Sequence, residues 1–205
     1  PEKTPIIFSA PGERPTSLPP EFTWVSADPT KESELDKLRL QWARGAVLVG
    51  RRSLSPQQAD AMTILTAFTI GSYLEKHQLV EDRKKQFRIV AEVLDAENFE
   101  HIVAAGANEV IESTKVGFSL LAHALSTPGT AQFMGAFAGS GENSVYVGMR
   151  PSDSRGKTTF AEISKRVKAT TGAMVLGIRD PVSGQDHINP ADQMEIVDDT
   201  LLIYV

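Results

Sequence analysis

The stretch RIVAEVLDAENFEHIVAAGANEVIES, Arg88 to Ser113, decides the fold. Its first part, taken with Phe87, is apolar almost without interruption to Leu94, the pattern of a strand covered on both faces. A helix is expected from about Glu97 to Ala105, and a β-rich run returns at Glu109-Val110-Ile111. Two strands joined through a helix require a crossover, and a crossover makes the strands parallel.

The same alternation extends upstream. Pro5-Ile6-Ile7-Phe8, Phe22-Thr23-Trp24-Val25 and Ala46-Val47-Leu48-Val49 read as strands. Asp28-Pro29 opens a helix expected to run to about Gln41, with the aspartate as cap and proline at the first helical position. Ser55-Pro56 starts a longer one through about His77, and the charged run Glu81 to Lys85 reads as a solvated connection. Downstream, Gly117 to Leu125 is an apolar helix. The composition then shifts at Gly135 to Asn143 (GAFAGSGEN), where three glycines mark a linker or a tight connection. Beyond it lie a strand (Ser144 to Met149), a helix (about Thr159 to Thr171) closed by Gly172, and strands at Ala173 to Arg179 and Met194 to Val205. The expected fold is α/β: a Rossmann-like parallel-sheet lobe over residues 1–134, followed by a small α+β C-terminal lobe over 135–205. Trp24 and Trp42 read as core or interface anchors.

Composition narrows the function. The 205 residues carry a net charge of −5 and no cysteine, which excludes disulfides, thiolate metal sites and cysteine nucleophiles. The acidic balance, pI near 5.4, argues against nucleic acid as a partner. The uncharged stretch Ala61 to Leu74 falls short of the roughly 20 apolar residues of a bilayer span and contains three threonines and a serine. It reads as a buried helix, and no direct membrane insertion of this segment is expected. Pro1 stands where methionine would, as though an upstream segment had been removed.

The chemistry of a nucleotide enzyme is missing from the residues. No glycine-rich turn follows a strand and opens a helix, so bare backbone is not offered to a pyrophosphate. Nucleophile elbows and paired metal-binding histidines are absent, and His77, His101, His123 and His187 are scattered. The carboxylates remain. Glu92 interrupts the apolar strand, with Asp95 and Glu97 just after it, at the end of a parallel strand where open sheets bind ligands. These three form a candidate metal site for Ca²⁺, which takes six to eight oxygens. The plain alternative pairs Glu92 with a neighbouring arginine or lysine and makes Asp95 a helix cap. Asp28, at another strand end, is a cap or a cofactor contact.

Several segments together resemble the RCK domain, the regulator of potassium conductance of prokaryotic potassium channels and uptake systems. Phe22 to Val49, with Ser26-Ala27-Asp28-Pro29-Thr30 in its turn, is similar to the family's strand, turn, helix and strand. Arg88 to Ser113 matches most specifically, through Ala105-Gly106-Ala107 before the last strand of the lobe. The segment from Val175 to Val205 resembles the C-terminal ligand-sensing lobe. The resemblance covers nearly the whole chain and implies a cytoplasmic gating domain, not an enzyme, at the inner face of the cell membrane. It implies a homodimer paired through a crossover helix near 117–126, with Phe118, Leu121 and Leu125 at the contact. Such dimers would assemble into a larger ring coupled to a potassium-channel pore domain. It places the family's first strand and glycine-bearing helix before Pro5, so the first strand of the lobe is expected to be missing, and nucleotide binding is disfavoured. One acid of the family's calcium site falls on Glu92, while two others fall on Gly50 and Leu94, which offer no side-chain oxygen. The competing readings are a soluble nucleotide-sensing regulatory subunit of a potassium-uptake system and, more remotely, a fragment of a nucleotide-dependent dehydrogenase.

Overall fold

The computed structural model describes residues 5–79, 86–138, 144–151 and 156–205. The charged run Glu81 to Lys85 and most of the expected linker, 139–143, lie outside the described residues. The chain divides into two compact units, Pro1–Ser119 and Leu120–Val205.

Among the described residues the first unit holds five strands: β1 (Ile7–Ala10), β2 (Thr23–Ser26), β3 (Gly45–Leu48), β4 (Arg88–Val93) and β5 (Glu109–Glu112). All pairings are parallel, as the crossovers require, yet they form two sheets, β1-β2 and β3-β4-β5, and not one. Helix α1 (Glu32–Leu35) is a single turn, followed by 3₁₀ turns at Asp36–Leu38 and Leu40–Trp42. The continuous helix expected from Asp28 to Gln41 therefore does not form. Arg39 takes a left-handed φ of 50°, which no helix interior accommodates. Trp42 is 81% exposed, so it is not a core residue.

Helix α2 (Pro56–Lys76) begins where the sequence places it. The Ser55 hydroxyl accepts from the Gln58 N–H, and the Gln58 side chain accepts from the Ser55 N–H, a reciprocal cap with Pro56 in the first turn. Thr63, Thr66 and Thr69 return their hydroxyls to carbonyls four residues back, which lets them sit buried in a largely apolar face. Met62, Leu65 and Phe68 of the same helix stay exposed, so the stretch is buried along one stripe only. α3 (Phe99–Ala104) follows a 3₁₀ turn at Ala96–Asn98. The core gathers Ile70, Tyr73 and Leu74 of α2 with Ile89, Ala91 and Val93 of β4 and Ile102 of α3. Ala46, Leu48 and Val110 pack against it from the flanking strands. The opposite sheet face, with Val47 73% exposed and Val49 close behind, is uncovered.

α4 (Ser113–Ser126) begins directly after β5 and contains the boundary between the units. α5 (Thr130–Ala138) takes up part of the expected linker, because Gly135 is accommodated within a helix. The second unit then builds an antiparallel sheet in the order β6 (Tyr146–Met149), β11 (Leu201–Tyr204), β8 (Val175–Arg179), β9 (Asp186–Ile188). A short pair joins β7 (Thr158–Thr159) and β10 (Glu195–Ile196). α6 (Phe160–Thr171) is capped by Thr159 and Glu162 reciprocally and closed by Gly172 at φ 78°. Its Phe160, Ile163 and Val167 pack with Val175, Ile178, Ile196 and Leu202 in a separate core. The unit is thus α+β and the first α/β, as the alternation of residues predicts.

Candidate functional site

The C-terminal ends of β3, β4 and β5 converge on Glu92. Parallel pairing sets Glu92 beside Ile111 of β5, and the turn after β3 brings Gly50 and Arg52 to its other side. The carboxylate accepts the Gly50 N–H on Oε2 at 3.0 Å and Arg52 Nη2 on Oε1 at 2.6 Å. The Ser113 hydroxyl, at the start of α4, is a further polar neighbour of the carboxylate. The Glu92 side chain is 11% exposed and that of Arg52 63%. Burial pushes the Glu92 carboxyl up, but the donors from Ser113, Gly50 and Arg52 outweigh it and hold the group below the usual carboxylate range.

Asp95 and Glu97, the expected companions of Glu92, are held differently. Asp95 accepts the Glu97 N–H at 3.1 Å and Gln57 Nε2 at 2.9 Å, so it caps the 3₁₀ turn after β4. Glu97 is exposed. Among the described residues no three acidic or histidine side chains come together in a way that could hold a metal ion. Asp28 makes no helix cap, since α1 starts only at Glu32. It accepts the Thr30 N–H and hydroxyl and pairs with Lys31 at 3.3 Å, a closed local turn, and the Thr30 hydroxyl leads in holding its carboxyl below the usual range.

The residue that the sequence reading missed is Asp60. It is fully buried on α2, Oδ1 accepting the Leu94 N–H at 3.0 Å, Oδ2 the Asp95 N–H at 2.9 Å and Asn98 Nδ2 at 3.0 Å. Asp60 therefore fastens the loop that follows Glu92 to the helix beneath it. Its signal in the sequence is a lone acid immediately before the uncharged stretch of a buried helix.

A cleft of about 400 Å³ is lined by Glu32, Ser33, Asp36, Tyr73, Lys76 and His77. Four of these residues pair: Tyr73 donates to Asp36 at 2.5 Å and Lys76 to Glu32 at 2.6 Å, while the Tyr73 and His77 rings lie 4.3 Å apart. On α4, Phe118, Leu121 and Leu125 share one face and are all exposed, Leu125 at 88%. His123, on the same helix, is exposed too.

No protein-family model matches the chain. Over 136 residues, 65% of its length, it is 26% identical to the calcium-gated potassium channel TvoK of Thermoplasma volcanium, and the match spans 36% of that protein. The structure superposes on the human SLO3 gating ring with a TM-score of 0.69 and 16% identity, covering 97% of this chain and 39% of that one. The GsuK channel bound to NAD superposes more loosely, at a TM-score of 0.47 and 22% identity over 98% of this chain and 32% of that one. The chain thus spans little more than a third of the proteins it matches. A parallel α/β unit followed by a small α+β unit, superposable over 97% of the chain on the human SLO3 gating ring, shares the fold of that ring.

Proposed function

We propose that this chain is the regulatory (gating) domain of a ligand-gated potassium channel, held at the cytoplasmic face of the membrane and acting without catalysis. The observation that supports it most is the likeness to a gating ring across 97% of the chain, joined to sequence similarity with a calcium-gated potassium channel. On this reading residues 1–134 form the ring-building lobe and 135–205 the ligand-sensing lobe. A cation or proton signal would bias the pore through its differential affinity for two arrangements of the ring, typically about 1–3 kcal/mol per site. Contributions of that size from several subunits sum to the roughly 5.5 kcal/mol that moves a population from 1:99 to 99:1.

Assembly would use the exposed stripe Phe118, Leu121 and Leu125 of α4 as the contact between two copies. Sedimentation of the chain at tens of micromolar is expected to show a dimer or larger species. Leu121→Asp with Leu125→Asp is expected to shift it to monomer while the circular dichroism spectrum stays unchanged. A chain that is monomeric throughout speaks against the ring.

A further inference from the structure

The cation that a gating lobe could take at these strand ends must be supplied by something, and the geometry around Glu92 identifies it. A divalent ion such as Ca²⁺ needs six to eight oxygens at about 2.3–2.6 Å. Here the half-buried carboxylate faces hydrogen donors, the Gly50 N–H on one oxygen and the Arg52 guanidinium on the other. Gly50 itself supplies no side-chain oxygen, and a β-carbon there would meet Leu94 Cδ1 at 3.1 Å and Glu92 Oε2 at 3.5 Å, so the leucine tip would have to give by a few tenths of an ångström. Asp95, the nearest acid along the chain, is committed to Gln57 and to the Glu97 N–H. The residues present therefore do not fit a calcium ion at Glu92.

We propose that Arg52 is a tethered cation standing where a divalent ion would otherwise sit, a positioning residue that locks the end of β4 to the turn after β3 through Glu92. A metal centre joins strand ends because one positive charge draws several anionic or dipolar groups inward. An arginine does the same with a fixed fork of donors. It differs in one respect: it cannot dissociate from the protein. The lobe is consequently held in its cation-loaded arrangement at every calcium concentration, and any cation response of the ring arises elsewhere in the chain. The gating reading supplies the consequence of the lock, whereas the lock itself rests only on the geometry at Glu92.

The test is a thermal double-mutant cycle with Arg52→Gln, Glu92→Gln and the two combined, each in chelator and in millimolar CaCl₂ with MgCl₂ as control. Each single variant is expected to melt about 2–4 °C below the parent, the shift that a partly buried interaction gives in a chain of this size. The combined variant should melt no lower than the weaker single variant, because the two changes remove one shared interaction. Calcium is expected to leave the parent melting temperature where it is, or to move it equally in Glu92→Gln. Two results overturn the proposal. One is a saturable calcium stabilisation of the parent that Glu92→Gln abolishes; the other is additive single-variant shifts, which would show that the two side chains are not coupled. Neither bears on oligomerisation, so failure here is distinguishable from failure of the gating reading.

Discussion

At the scale of single residues, the acids of the first unit behave according to what surrounds them. Glu92 and Asp60 both sit in low-dielectric positions, but Glu92 faces a guanidinium and Asp60 faces only neutral donors. Removing Asp60 strands two backbone N–H groups and an amide, and an unsatisfied buried donor costs about 1–3 kcal/mol. Asp60→Ala is accordingly expected to lower unfolding stability by about 3 kcal/mol in a urea titration, with the m-value unchanged. The sequence made Glu92 conspicuous because an acid interrupts an apolar strand. It could not reveal Arg52 as the partner, since 40 residues separate the two and only the pairing of β3 with β4 brings them together.

Elements whose ends carry their own chemistry were legible. α2 and α6 begin where Ser55-Pro56 and Thr159 with Glu162 announce them, and α6 ends on Gly172. α1 was not, because an arginine is a good helix former and nothing in the residue itself announces the left-handed turn that Arg39 takes. α5 was obscured by Gly135, which local propensity reads as a break. The joint between α1 and α2 is sensitive to alkali. Asp36, hydrogen-bonded to the buried Tyr73 phenol, is the chief reason its pKa is raised from 10.0 to about 12, with burial adding to the effect. A raised pKa means that the folded state holds the proton more tightly. The stability tied to it is whole below pH 10 and drains away as the pH climbs to about 12. Tyr73→Phe is expected to be about 1.5 kcal/mol less stable at neutral pH, the worth of a hydrogen bond to a charged group that water partly shares. The difference should narrow above pH 10, as denaturation curves at stepped pH would show.

For the molecule as a whole, the two units own separate cores, one around Ile70, Ile89 and Ile102 and the other around Ile163, Ile178 and Leu202. Scanning calorimetry is therefore expected to resolve two transitions, with a van't Hoff enthalpy below the calorimetric one. Asp60→Ala should move one of them and leave the other in place. The α/β-then-α+β order was readable from the alternation of strands and helices. The separation of the first unit's strands into two sheets was not, because sequence periodicity reports which face of a strand is covered and says nothing of which strand lies next to it. Among the described residues no helix is long and apolar enough to cross a membrane.

Leu94 stands next to the open position at Gly50: a β-carbon there would meet its Cδ1 at 3.1 Å and Glu92 Oε2 at 3.5 Å. A leucine tip yields a few tenths of an ångström readily, so packing alone puts little in the way of an acid at position 50. The obstacle is charge, because a second carboxylate there would compete with Glu92 for the one guanidinium of Arg52. Descent at this strand end is thus steered by the balance of charge more than by room.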